Sequence, residues 1–193
     1  RADQILAEVG IDINEAEDRA LFRQAGASVD GARVRFEPGH VRELVKTAPR
    51  EFTQHARNPA ISVVIGGNNV VMVPASGSPF VRDLAGGRRY ASLEDFHTYI
   101  KLTHASPWLH HSGGTICEPV DVPVNKRHLD MVYAHVKYND QAFLGSVTVP
   151  ERARDSVEMA QIVFGRDFTD EHCVIMGNVN VNSPLVWDNA MTG

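Results

Sequence analysis

Leu109-His-His-Ser-Gly-Gly-Thr-Ile-Cys-Glu-Pro-Val-Asp-Val-Pro-Val-Asn-Lys-Arg-His-Leu-Asp130 reads as a short strand (Trp108 to Ser112), a glycine-containing polar loop (Gly113 to Val124) and the start of an amphipathic helix. Strand, loop and helix in that order form the unit of an α/β fold. In such folds the loop leaving the carboxyl end of a strand is where ligands meet the protein. Glu118 stands in this loop, stiffened by Pro119 and Pro123. A carboxylate held this way loses little entropy when a cation docks on it. The same residues also suit an ordinary connection in which Glu118 caps a helix or pairs with Arg127.

The pattern continues on both sides. Upstream, Ser92 and Asp95 have capping-box spacing before a helix whose Leu93, Phe96 and Ile100 share one face. Downstream, helix Asn125 to Tyr138 places Leu129, Val132, Tyr133 and Val136 on one side, and strand Ala142 to Val147 follows. Pro150 then opens a helix with Ala153, Val157, Ala160 and Phe164 inward, followed by strand Cys173 to Val179. The run Val70 to Val73 suits a strand buried on both faces. Strands centred near 72, 110, 145 and 175 are thus separated by helices and spaced roughly 30–40 residues apart, as in successive βα units. The expected fold class is α/β, with a partial TIM (β/α) barrel of about four units over residues 69–193. A complete barrel needs roughly 250 residues, so the chain reads as a fragment of a longer protein. One sheet edge should then be unsatisfied, favouring a homo-oligomer.

Residues 1–68 read as a small N-terminal α+β subdomain of helices and a hairpin. A helix from Ala2 to Val9 ends at Gly10, and Asn14 caps the next helix with Glu17 three residues on. Asp30-Gly31 marks a two-residue hairpin turn. Val41 to Ala48 forms a short helix, and Phe52 to Arg57 and Ile61 to Ile65 are strands.

Composition excludes several classes. Hydrophobic residues at 43% and charged residues at 22% are globular values. A net charge of −5 offers no basic surface for nucleic acid. No apolar run approaches the ~20 residues of a membrane span. Two distant cysteines, Cys117 and Cys173, form no disulfide framework and suit a reducing cytoplasm. The nine histidines include no i, i+3 or i, i+4 pair, and His110-His111 would face opposite sides of a strand, so no metal site is expected.

The strand ends gather Ser78, Phe80, Gly114, Glu118, Ser146, Asn178, Asn180 and Asn182 as candidate substrate-binding residues. Of these only Glu118 ionises. Asn178, Asn180 and Asn182 alternate with valines and share one face of an extended chain. They suggest a polar pocket, a strand that has left the barrel, or a turn ending in Asn-Ser-Pro.

Five elements occur in a telling order: Ala56-Arg57-Asn58-Pro59, Val81-Arg-Asp-Leu84, Glu118-Pro-Val-Asp-Val-Pro123, Arg127-His-Leu-Asp130 and Asn182-Ser-Pro-Leu185. Together they resemble the N-terminal half of the trimethylamine methyltransferase family, and the Glu118 to Pro123 element is the most specific of them. The resemblance implies a TIM barrel that moves a methyl group from a methylated amine to the cobalt of a corrinoid carried by a separate partner protein, with no cofactor bound by this chain itself. Some members contain pyrrolysine in the second half of the barrel; others lack it and use quaternary amines such as glycine betaine. The position that separates the branches falls past Gly193. Cobalt(I) is itself a nucleophile, so the protein's task is to orient the substrate and meet its charge. Glu118, Phe80 and Trp108 suit the cation, and the asparagines or Ser146 suit a substrate carboxylate. Alternatives are a non-catalytic quaternary-amine binder on the same scaffold, or an inactive truncated fragment.

Overall fold

The computed structural model describes residues 1–187 and Ala190. In chain order the elements are α1 (Ala2–Glu8), β1 (Ile11–Asp12), α2 (Ala16–Gln24), β2 (Ser28–Asp30), β3 (Arg33–Arg35), α3 (His40–Val45), β4 (Glu51–Gln54), a 3-10 turn (Pro59–Ile61), β5 (Val63–Gly66), β6 (Phe80–Asp83), β7 (Gly87–Tyr90), α4 (Leu93–Ala105), α5 (Arg127–Tyr138), β8 (Phe143–Leu144), α6 (Pro150–Phe164), α7 (Arg166–Glu171), β9 (Ile175–Met176), β10 (Val181–Asn182) and β11 (Val186–Trp187). The architecture is mixed α/β, with several small sheets. Two compact units form: one from residues 1–50, 147–150 and the stretch from Asn178, the other from Glu51–Ser146 and Glu151–Gly177.

The first unit is built on a five-stranded sheet of order β10-β11-β1-β3-β2. Its core holds Ile11, Ile13, Val34 and Phe36, with Phe22 meeting Phe36 edge-on at 5.7 Å. Gly10 at φ +76° brings α1 onto β3 so closely that a Cβ would lie 2.4 Å from the Val34 carbonyl oxygen. Helix α2 starts after Glu15, not Asn14. Arg19 grips the Ile13 and Asn14 carbonyls at 2.8 and 2.5 Å and keeps the chain extended there. The hairpin turn is Gly31-Ala32, one residue later than Asp30-Gly31, because the register sets Val29 opposite the buried Val34. The sheet also takes in the end of the described chain. β10 turns through Asn182 to Leu185 into β11, which runs parallel to β1 with Val186 opposite Asp12.

The second unit holds the parallel contacts. Segment 109–113 lies beside 142–144, with Ser112 N–H donating to Ala142 O and Leu144 N–H to Gly113 O, both at 2.8 Å. β8 pairs in parallel with β9, Phe143 opposite Ile175, and Gln54 bridges Cys173 in parallel. Regular strands are shorter than the alternation predicts. Residues 70–73 are not a doubly buried strand: Val70, Met72 and Val73 are exposed. The segment is hydrogen-bonded to residue 110, whose N–H donates to Met72 O at 3.0 Å, and only Val71 of the run packs against a core cluster, that of Ala56, Val63 and Ala142. α4 begins at the capping box, as the Ser92/Asp95 spacing requires, and buries Phe96 and Ile100 completely against Ala134 of α5.

Two helices bury only part of the face that apolar periodicity selects, Val132 in α5 and Ala160 in α6, and bury polar residues beside it. α5 buries His128, Val132 and His135 and leaves Leu129 and Tyr133 partly exposed. α6 buries Ser156 and Ala160 and leaves Val157 exposed. His128 Nε2 meets Asp155 of α6 at 2.6 Å, while its Nδ1 is buried without a hydrogen-bond partner among the described residues; Ser156 Oγ receives the Ser146 N–H at 3.0 Å. No helix among the described residues is long and apolar enough to cross a membrane.

Asp95 ties this unit's hairpin β6–β7 to α4. It accepts two hydrogen bonds from Arg89, at 2.6 and 2.7 Å, and one from the Ser92 N–H at 2.8 Å. The Arg89 contact, the largest influence, holds this carboxyl well below the usual carboxylate range. Asp95→Ala removes the side-chain half of the capping box and one of Arg89's two carboxylate partners. It should lower stability by about 1–2 kcal/mol, read as a lower midpoint in urea.

Candidate functional site

The site is built where the parallel segments end. Gly113 (φ +81°) turns the chain out of the sheet, and a Cβ there would sit 2.7 Å from Pro74 Cγ, so only glycine fits. The departing loop then clasps residues 74–79. Gly77 N–H donates to Thr115 O and Glu118 N–H to Ser78 O, both at 2.9 Å, and Ser78 bridges Cys117. The Ser78 hydroxyl is spent on its own turn, accepting from Phe80 N–H at 3.1 Å and donating to Phe80 O at 2.9 Å.

Below this loop lies a network of neutral polar side chains, all at most 2% exposed. Gln54 donates to Phe143 O at 2.8 Å. Its carbonyl faces His111 Nε2 at 3.1 Å, and His111 Nδ1 accepts the Gly113 N–H at 2.8 Å. An acceptor role at Nδ1 places the His111 proton on Nε2. His135 follows the same logic: Nε2 can only donate to Gly114 O, at 2.9 Å, so Nδ1 accepts from Ser112 Oγ at 2.6 Å. Phe143 stacks on His135 at 5.8 Å and Phe96 meets it edge-on at 5.5 Å. Burial pushes both imidazoles down to about 4. Metal-ligand spacing is the only test the sequence offers for His111, and it assigns no role to Gln54 or His135. The signal was present in His111 and His135, which fall where apolar residues would otherwise complete a strand and a helix face.

The predicted site residues divide between the two units. Ser78, Phe80, Gly114, Glu118 and Ser146 fall in the second. The Gly114 carbonyl is doubly occupied, by His135 and by the Ile116 N–H at 3.0 Å, while its own N–H makes no hydrogen bond among the described residues. The Ser146 backbone is held by Ser156, and its hydroxyl has no partner among the described residues. Glu118 Oε1 receives Arg127 Nη1 at 2.5 Å; Arg127 also donates to Val122 O at 3.2 Å. The Arg127 side chain is only 11% exposed, against 47% for Glu118. Phe80 packs on Tyr90 at 4.7 Å, and Arg88 lies over its face at 3.8 Å. Trp108 is exposed in the turn after α4, at the opposite end of segment 109–113 from Glu118. Asn178, Asn180 and Asn182 belong to the first unit, are exposed, and Asn178 donates to Asn180 Oδ1 at 3.1 Å.

No activated nucleophile appears among these groups. Cys117 is buried, and burial, reinforced by the charge of Asp95, pushes its thiol up to about 11. Cys173 is shifted the same way by burial. Cys117, Ser112, His111 and His135 therefore serve the architecture here, and what remains is neutral donors, the Gly114 N–H and the Ser146 hydroxyl, and a carboxylate matched by an arginine.

Comparison with known proteins agrees with the sequence motifs. The trimethylamine methyltransferase (MTTB) family matches residues 1–193 in full. The chain belongs to this family. It is 44% identical over 191 residues, 98% of its length, to a glycine betaine methyltransferase of Desulfitobacterium hafniense (strain Y51), covering 40% of that protein. It is 24% identical over 196 residues to an L-carnitine:corrinoid methyltransferase of Eubacterium limosum, with 94% of the chain and 39% of that protein aligned. The chain thus spans about two fifths of the length of these relatives.

Most family-like motifs have structural work in this chain. Asn58 caps the 3-10 turn through Ala60 N–H at 3.2 Å, and Arg57 donates to Asn139 O at 3.0 Å. Asp121 of the Glu118 to Pro123 element accepts the first N–H of α4, from Leu93, at 2.9 Å. Glu118→Gln leaves the largely buried Arg127 without a countercharge. It should cost about 1–2 kcal/mol, seen as a lower melting temperature. The histidines set a second expectation. The unfolded chain binds their protons near pH 6.5 and the folded chain only near 4. Their contribution to stability is complete above about pH 6.5 and is lost progressively as pH falls toward 4. Urea titrations at several pH values between 4 and 8 check this.

Proposed function

We propose that this chain serves a corrinoid-dependent methyltransferase whose methyl donor is a quaternary amine bearing a carboxylate, glycine betaine foremost. The observation that carries the reading is the 44% identity, across 98% of the chain, to a glycine betaine methyltransferase. We propose also that residues 69–193 open a β/α barrel completed by further chain. The run of parallel contacts from 109–113 through β8 to β9 supports that architecture, as does the exposure of Val70, Met72 and Val73.

The chemistry of the site residues supports the assignment. A corrinoid held on a partner protein would supply the nucleophile as reduced cobalt, which accords with a chain whose two thiols are both shifted toward the protonated form. When the methyl group leaves, nitrogen keeps the bonding pair and the cation becomes a neutral tertiary amine. A bare carboxylate on that nitrogen would stabilise the starting cation more than the transition state and slow the reaction. Glu118, already matched by Arg127, avoids that penalty. The substrate's carboxylate does not change charge, so neutral donors can hold it and aim the methyl group at no kinetic cost. The Gly114 N–H and Ser146 hydroxyl, on neighbouring segment ends, are such donors.

Full-length enzyme given glycine betaine and the reduced corrinoid protein should transfer one methyl group and yield dimethylglycine. Binding without transfer, or no response to any of a panel of quaternary amines, would overturn the reading. Ser146→Ala should raise the betaine KM about tenfold. It should spare a quaternary amine that lacks a carboxylate. Steady-state kinetics with both donors give the comparison.

A further inference from the structure

Of the motifs singled out in the sequence, Val81-Arg-Asp-Leu84 leaves two residues, Arg82 and Leu84, exposed and without a structural task among the described residues. It forms β6 and the tip of the β6–β7 hairpin. Val81 is buried in the core, and Asp83 closes the turn by accepting the Ala85 N–H at 3.0 Å and the Gly86 N–H. Arg89 bridges Asp83 and Asp95. Arg82 has no hydrogen bond or ion pair among the described residues. Pairing register puts Phe80 opposite Tyr90 and Arg82 opposite Arg88, so these four side chains share the face turned away from Val81.

That face is unusual for a surface left to water. Two guanidinium groups stand directly opposite each other, an arrangement that costs stability unless an anion answers it. Neither has a carboxylate partner among the described residues; Arg88 instead lies over the Phe80 ring. Tyr90 is 60% exposed, and Leu84 at the tip is fully exposed. The stretch Phe80 to Tyr90 carries three arginines and one aspartate, a net +2 within a chain of net −5. The opposite face is clamped to the start of α4 by Arg89 and Asp95, so the hairpin is held ready rather than loose. It also issues directly from residues 74–79, which the Gly113 to Glu118 loop clasps. The hairpin therefore stands beside the candidate site.

We propose that the outer face of this hairpin docks on the protein that carries the corrinoid, with Arg82 and Arg88 meeting carboxylates on that partner; this rests on the function proposed above. Arginine and aromatic residues are the types enriched at interface centres. Exposed Leu84 and Tyr90 extend the contact beyond what a small anion would cover. Charge complementarity selects an acidic surface, and proximity to the strand-end loop brings that surface to where the methyl group is transferred.

The test compares full-length wild type with an Arg82→Glu/Arg88→Glu double variant. A control, Arg23→Glu/Arg50→Glu, makes the same charge change at exposed sites in the other unit. The hairpin variant should raise the KM for the corrinoid protein about tenfold or more. The KM for the amine should be unchanged, and the control should match wild type. High salt should narrow the gap between wild type and variant. Arg82→Ala/Arg88→Ala, which adds no new charge, should act in the same direction and covers the case of a misfolded reversal variant. An unchanged partner KM overturns the proposal, as does an equal effect in the control. A rise in the amine KM instead would mean that the arginines read the substrate's own carboxylate, and also overturns it. Calorimetric titration of enzyme with corrinoid protein separates failure of docking from failure of the chemistry. A wild type that binds the partner but transfers no methyl refutes the proposed function, while loss of that binding in the hairpin variant still supports docking.

Discussion

Two imidazoles that must stay uncharged hold the second unit together. His111 links the Gln54 amide of β4 to the Gly113 N–H, and His135 links Ser112 to the Gly114 carbonyl from α5. Gln54 in turn reaches Phe143 of β8. Each member would leave a buried donor or acceptor unmet if its partner were lost, at about 1–3 kcal/mol per group. The network therefore specifies where segment 109–113 ends and how the Gly113-Gly114 turn leaves it. The loop carrying Thr115 to Glu118, and through it residues 74–79, is placed by those bonds.

The loop from Glu118 to Pro123 is a latch. Its backbone reaches Ala91 through Val120 N–H at 2.9 Å, Asp121 caps α4, and Glu118 and the Val122 carbonyl hold Arg127 at the start of α5. Three consecutive features of the unit (the hairpin base, α4 and α5) are thus tied through one short segment. Glu118 stands at the half-exposed side of this latch, its charge shared with a largely buried arginine.

Local signals with a single physical cause were legible in the sequence. The Ser92/Asp95 capping box, Pro150 at the head of α6 and the parallel order of the segments near 110, 145 and 175 all follow from short-range chemistry. Reading buried faces from apolar spacing alone captured α5 and α6 only in part, since His128, His135 and Ser156 are buried by virtue of partners far away in the chain. The run Val70 to Val73 reads as doubly buried because its composition is apolar, but burial needs neighbours, and only Val71 finds them in a core cluster. Asn178, Asn180 and Asn182 alternate as a strand would, yet their segment turns at Asn182 into β11, and it is β11 that pairs with β1 in the first unit, a long-range choice that periodicity does not encode. Glu118, Gly114 and Ser78 were placed in adjoining loops correctly, because glycine and proline punctuation marks loops whatever they contact.

The central claim is that neutral, singly tautomeric histidines organise the strand-end loop. Nitrogen-15 NMR of the side chains of His111 and His135 in the full-length protein measures this directly. The account predicts that both carry their proton on Nε2 at pH 7 and keep it there without titrating down to about pH 5. A normal titration near pH 6.5 at either residue, or a proton on Nδ1, would contradict it.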